Sequence, residues 1–133
     1  MNVIQLDGQD SVIDWFGYWP TFHDSEIVGI SLQRASESRV DVLTWSTRNQ
    51  LDSEGIYIRE KYAVVSFVLS SITDLSLGGF SGQNVISGLS IEAHSSGIRL
   101  VLHPCFGISG YVEAEQMRVE VRPLQNAPQT TTR

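Results

Sequence analysis

The chain is expected to be a mainly β protein, α+β only at its margin: an antiparallel sheet or two-layer β sandwich of about seven to eight strands with one short N-terminal helix. Three observations predict this. Segments rich in Val, Ile and Leu recur from residue 26 onward, separated by Gly, Ser, Asn and Asp. Within them apolar and polar residues tend to alternate, the period of a strand with one face in a core. No segment after residue 20 sustains the helical period for more than about two turns.

The elements follow in order. In "DSVIDWFG", Ser11 is placed to cap a helix, Asp14 follows three residues later and Gly17 stands where the helix would stop, which predicts about two turns. Trp19 precedes Pro20 and is biased away from helical geometry, so "YWPTFHDS" is expected as an extended connection or turn. In "EIVGISLQR", Val28, Ile30 and Leu32 alternate with Gly29, Ser31 and Gln33. "SRVDVLTWST", "GIYIREKY", "AVVSFVLSSI", "DLSLGGF", "NVISGLSIEAH" and "GIRLVLH" continue as strands, with Gly88 marking a bulge or a short helical turn. In "GISGYVEAEQMRVEVRP" helix propensity competes, but Val119 and Val121 alternate with Arg118, Glu120 and Arg122, which favours a strand.

A chain of 133 residues, 41% of them hydrophobic, suffices for one domain with a sizeable core. Residues 1–124 are expected to form that domain and the polar stretch 125–133 a flexible tail. No run approaches the roughly 18 apolar residues of a membrane helix, and "MNVIQLDGQDS" has neither a basic leader nor an apolar signal core, so a cytoplasmic protein with no membrane partner is expected. Cys105 has no second cysteine with which to form a disulfide or a thiolate cluster.

Charge is unevenly distributed. Up to residue 33 there are five acids, Asp7, Asp10, Asp14, Asp24 and Glu26, and no Lys or Arg; from Arg34 onward ten acids meet nine bases. Such a surplus repels nucleic acid and attracts a basic protein partner, or it serves only as a solvated face.

"HDSE" raises the sharpest chemical question. His23, Asp24 and Glu26 could join His94 or His103 as ligands of a small metal-dependent hydrolase. In extended chain, however, Asp24 and Glu26 share one face and His23 points to the other. The alternative is a turn in which Asp24 accepts backbone N–H groups and His23 donates to a neighbour. "LGGFSGQNVISG" lacks the Lys and following helix of a phosphate loop and is expected as a turn at Gly79, with Phe80 covering the core edge and Gln83 or Asn84 bonding locally. Cys105 and His103 could form a thiolate and base, but no third group supports them, and such a cysteine is usually a small buried apolar residue. Trp15, Phe16, Tyr18, Trp19 and Phe22 are expected to cover the sheet, with Tyr18 or Trp19 reaching the surface. No catalytic residue, cofactor or metal ligand is assigned.

"FGYWPTFHDSEIVGISLQR" resembles the "WPxFHDAEV" opening of the bacterial immunity protein 50 family, and "LGGFSGQNVISGL" resembles that family's later "GFNxQNVI" segment. The order and separation of the blocks match, within a resemblance running roughly from Trp15 to Pro123. Ser25 stands in place of the usual alanine and "FSGQN" in place of "FNxQN"; His23, Asp24 and Glu26 are retained. The resemblance implies a cytoplasmic immunity protein of a polymorphic-toxin system, made beside a toxin gene, that binds its toxin and occludes it without catalysis or cofactor. Joined to the acid surplus, it suggests that Asp10, Asp14, Tyr18, Trp19, Asp24 and Glu26 face the toxin, which could be a basic nuclease-like domain. Trp15, Pro20, Phe22, His23, Gly79, Phe80, Gln83 and Asn84 are then the structural set. The rivals are the metal-dependent hydrolase and a self-associating structural module; an uncovered sheet edge would also allow a homodimer.

Overall fold

The alternation along each strand sends a row of side chains to one face, and in the computed structural model, which describes residues 4–95 and 97–125, those rows meet in one core. Helix α1 (Gln9–Phe16) precedes six strands among the described residues: β1 (Glu26–Ser31), β2 (Ser38–Leu51), β3 (Tyr57–Gly78), β4 (Val85–His94), β5 (Gly97–Phe106) and β6 (Ser109–Pro123). Neighbours are antiparallel throughout, in the ring order β1-β2-β3-β6-β5-β4, and β4 returns to β1 at Glu26 and Val85. The mainly antiparallel β architecture with one short helix is as expected, and the single sheet curls into a closed barrel. Its two outermost strands meet each other at that one pair.

Val40 and Val42, Val65, Phe67 and Leu69, Leu100 and Leu102, and Val112 and Ala114 are buried in the core from β2, β3, β5 and β6. Each such side chain contributes about 1.5–3 kcal/mol on burial for the large aliphatics and Phe. The three segments "GIYIREKY", "AVVSFVLSSI" and "DLSLGGF" run on as the single strand β3. Polar residues near the ends of the first two segments are bends within it: Lys61 and Ser71 take left-handed φ values of 55° and 61°, and the register with β6 shifts just beyond Ser71, between Ile72 and Asp74. Gly88 lies at a bulge, where the β4–β5 register shifts after Ile86.

The helix ends at Gly17 as expected, with φ 88° and its N–H donating to the Ile13 carbonyl at 2.6 Å. It starts earlier than expected: the cap is Gly8, not Ser11, which lies inside α1. Gly8 has φ 91°, and a Cβ there would collide with the Val119 carbonyl, so tertiary contact with β6 selects the start. Val12 and Phe16 are buried on α1, and the Trp15 indole N–H donates to the Lys61 carbonyl at 3.1 Å.

The β3–β4 connection passes the β5–β6 turn closely. Gly79 turns with φ 76° where a Cβ would strike the Gly107 carbonyl, and Ile108 is fully buried. Phe80 does not cover the core edge as expected; it is 58% exposed. The outer face of β2, β3 and β6 is laced by ion pairs, with Arg39 3.0 Å and Arg118 closer still to Glu120, and Arg118 2.8 Å from Glu37. Of the expected tail, residues 126–133 lie outside the described residues.

Candidate functional site: the barrel seam and the adjoining groove

The "WPTFHDSE" segment builds the seam that closes the barrel. Pro20 is buried, and Phe22 inserts edge-on between Trp19 and Phe67, at ring separations of 5.6 and 5.7 Å. Phe22 and Asp24 have left-handed φ values of 62° and 64°, a conformation that costs roughly 1–2 kcal/mol for a residue with a Cβ. Burial of Phe22, which is 2% exposed, offsets that cost.

The tight turn aims its polar groups at β4. His23 Nδ1 lies 2.9 Å from the Ser87 carbonyl, which makes Nδ1–H the donor. The Asp24 N–H donates to the Ile86 carbonyl at 2.9 Å, and the Ile86 N–H returns a bond to the Ser25 carbonyl at 3.0 Å. The His23 donor was expected. The carboxylate of Asp24 was expected to accept backbone N–H groups, but the backbone N–H of Asp24 holds the turn and its carboxylate faces His23 Nε2 at 3.5 Å.

The second block meets the first here. Asn84 is buried; its Oδ1 accepts from the Ser81 N–H and its Nδ2 donates to the Ser81 carbonyl, both at 2.8 Å. That local clamp presents the Asn84 carbonyl to the Ile27 N–H at 2.8 Å. Gln83 contributes through its backbone, its N–H donating to Ser81 Oγ and its carbonyl accepting from that hydroxyl. The two blocks that carry the resemblance are therefore one structural unit.

A groove of about 380 Å³ opens beside the seam, between Tyr18 on one wall and Trp45, Ile56, Tyr57 and Arg59 on the other, with Phe22, His23 and Asp24 along its floor and rim. Ile56 and Tyr57 are 59% and 56% exposed, and Tyr18, expected at the surface, is 47% exposed. The Arg59 guanidinium lies 4.2 Å over the Trp45 ring, and Trp45 in turn leans on Tyr62. The β2–β3 turn holds this wall in place: Asp52 Oδ1 accepts from the N–H groups of Glu54 and Ile56 at 2.8 and 3.0 Å. The groove thus brings together rings with polar tips, an exposed arginine and the Asp24 carboxylate.

The anticipated partner-facing acids fall at two places. Asp10 and Asp14 are exposed on α1, one turn apart, while Asp24 and Glu26 lie at the seam. Helix α1 packs on β6 and β3, which stand across the ring from β1 and β4. Trp19 is half-buried and belongs with Phe22 and Phe67 in the aromatic cluster.

His23 and Asp24 face each other, but Glu26 is drawn into no ion pair with them. Among the described residues, no group of three or more His, Cys, Asp or Glu side chains is placed to hold a metal ion. His103 Nε2 lies 2.7 Å from Ser90 Oγ, and His94 lies 3.3 Å from Glu113. Cys105 is exposed, not buried, because alternation fails from His103 to Phe106 opposite the bulges of β4. Among the described residues, no helix is long and apolar enough to cross a membrane.

Sequence reasoning missed Trp45, Ile56, Tyr57 and Arg59. The signal available was that Tyr57 and Arg59 share one face of their strand. No family model, curated protein or solved structure matches the chain.

Proposed function

We propose that the protein is an immunity protein that binds a cognate bacterial toxin in the cytoplasm of the producing cell and neutralises it by steric occlusion. The observation that carries this reading is the groove beside the seam, where Tyr18, Ile56 and Tyr57 project next to the Arg59–Trp45 stack. Tyr, Trp and Arg are the residues that dominate binding energy at protein interfaces. The two-block resemblance supports the same reading. The closed barrel supplies a preformed scaffold, which lowers the entropic cost of docking.

Asp10 and Asp14 on α1 provide a secondary, electrostatic element. Neither joins an ion pair among the described residues, so their charge is available to steer a toxin with a basic cleft such as a nuclease. The test is co-expression with the toxin encoded beside this gene. Tyr18→Ala with Tyr57→Ala is expected to abolish protection with an unchanged unfolding midpoint. Asp10→Lys with Asp14→Lys is expected to slow association and flatten its salt dependence. Full protection by the tyrosine double variant would overturn the groove as the binding face.

A further inference from the structure

Val28, Phe80 and Phe106 are exposed around the passage of residues 79–84 between β1 and the β5–β6 turn, and Leu32 and Leu75, also exposed, lie two residues along the chain from Ile30 and Leu77, which line a groove beside Phe80. The backbone brings these segments together. The Ile27 N–H bonds the Asn84 carbonyl, and Gly79 packs against the Gly107 carbonyl, so Val28, Phe80 and Phe106 each follow or precede a point of contact by one residue. Phe80 also forms one wall of an apolar groove of about 350 Å³ lined by Ile30, Leu77 and Ile108. The stretches 27–33, 75–91 and 100–112 hold no Asp, Glu, Lys or Arg.

We propose that this apolar face binds a second copy of the chain about a two-fold axis, with Phe80 of each copy seated in the Ile30–Leu77–Ile108 groove of the other. A projecting ring and a receiving groove within one patch satisfy the self-complementarity that a two-fold interface requires. Charge points the same way. Two copies with a net charge of -6 each repel over most of their surfaces, whereas the stretches that carry Val28, Phe80 and Phe106 hold no acid, and the neighbouring Asp41 carboxylate, beside Gly29, is paired with Arg39 at 3.8 Å.

The area is also sufficient. Phe80 and Phe106 are 58% and 60% exposed. With about 200 Å² per ring, they present about 240 Å², and Val28, Leu32 and Leu75 raise the apolar total to roughly 400 Å², in the range of functional patches. If apolar atoms make up about 57% of an interface, roughly 700 Å² per copy would be covered, or about 1,400 Å² in all, within the span of stable complexes. The groove between Tyr18 and Tyr57 shares no lining residue with this face, so the dimer does not depend on the toxin-binding reading.

Sedimentation equilibrium on the purified full chain, from low to high micromolar concentration, tests the proposal. The wild type is expected to rise from its 14.8 kDa monomer mass toward twice that value. Phe80→Asp is expected to remain at monomer mass with an unchanged unfolding midpoint, and Tyr57→Asp to dimerise like the wild type. Should Phe80→Asp fail to fold, Leu32→Asp decides by the same criterion. A wild type that stays monomeric throughout the series, or a folded Phe80→Asp that dimerises as well as the wild type, would overturn the proposal.

Discussion

Ser25 Oγ donates to Thr44 Oγ1 at 2.8 Å, with both side chains buried, while the Ser25 carbonyl accepts from Ile86. One residue thus ties β2 and β4 together at the head of β1. Ser25→Ala leaves the Thr44 hydroxyl buried without its donor and is expected to cost about 1 kcal/mol. Removing both hydroxyls, as Ser25→Ala with Thr44→Val, is expected to recover most of that loss. Urea unfolding of the two single variants and the double variant measures the coupling; additive losses would contradict it.

Within "FHDSE" the contributions to folding are unequal. Phe22→Ala empties a position in the aromatic cluster and is expected to cost about 3–5 kcal/mol. Asp24→Asn keeps a residue that tolerates left-handed geometry and should change stability little, whereas Asp24→Val adds roughly 1–2 kcal/mol of strain. His23→Ala removes one exposed bond to Ser87 and should cost under about 1 kcal/mol. Thermal unfolding of the four variants ranks these effects.

Glu120 predicts a pH effect. The Arg118 hydrogen bond, followed by that of Arg39, holds its carboxyl below the ordinary value of 4.5. A carboxyl pKa lower in the folded than in the unfolded state contributes stability above the unfolded value, and this is lost as pH falls through the folded value. Glu120→Gln is therefore expected to be less stable than wild type at neutral pH, with the gap narrowing below pH 4.5. Unfolding midpoints from neutral to acid pH check this; a gap that widens on acidification would contradict it.

The strands and the end of α1 were legible in the sequence because period-two alternation and Gly17 are local signals. Barrel closure was not. It rests on the pairing of Glu26 with Val85 and on bonds from Asp24, Ser25 and Asn84, which periodicity does not encode. The start of α1 depends on the approach of Gly8 to Val119, and the exposure of Phe80 on the approach of Gly79 to Gly107, both contacts between distant segments. The "HDSE" turn was half legible: the His23 donor followed from chemistry, but the choice between the Asp24 carboxylate and its N–H required the position of Ile86. The groove was hidden because Tyr18 and the β2–β3 wall come from separate segments.

Titration of the proposed toxin partner with Tyr57→Ala measures what the groove contributes to binding. Tyr57 is 56% exposed, so its loss should alter stability by less than about 0.5 kcal/mol. The groove reading predicts affinity weakened by about 2 kcal/mol, roughly thirtyfold, with the fold intact. Affinity equal to wild type in both Tyr57→Ala and Tyr18→Ala would contradict it and place the toxin on another face.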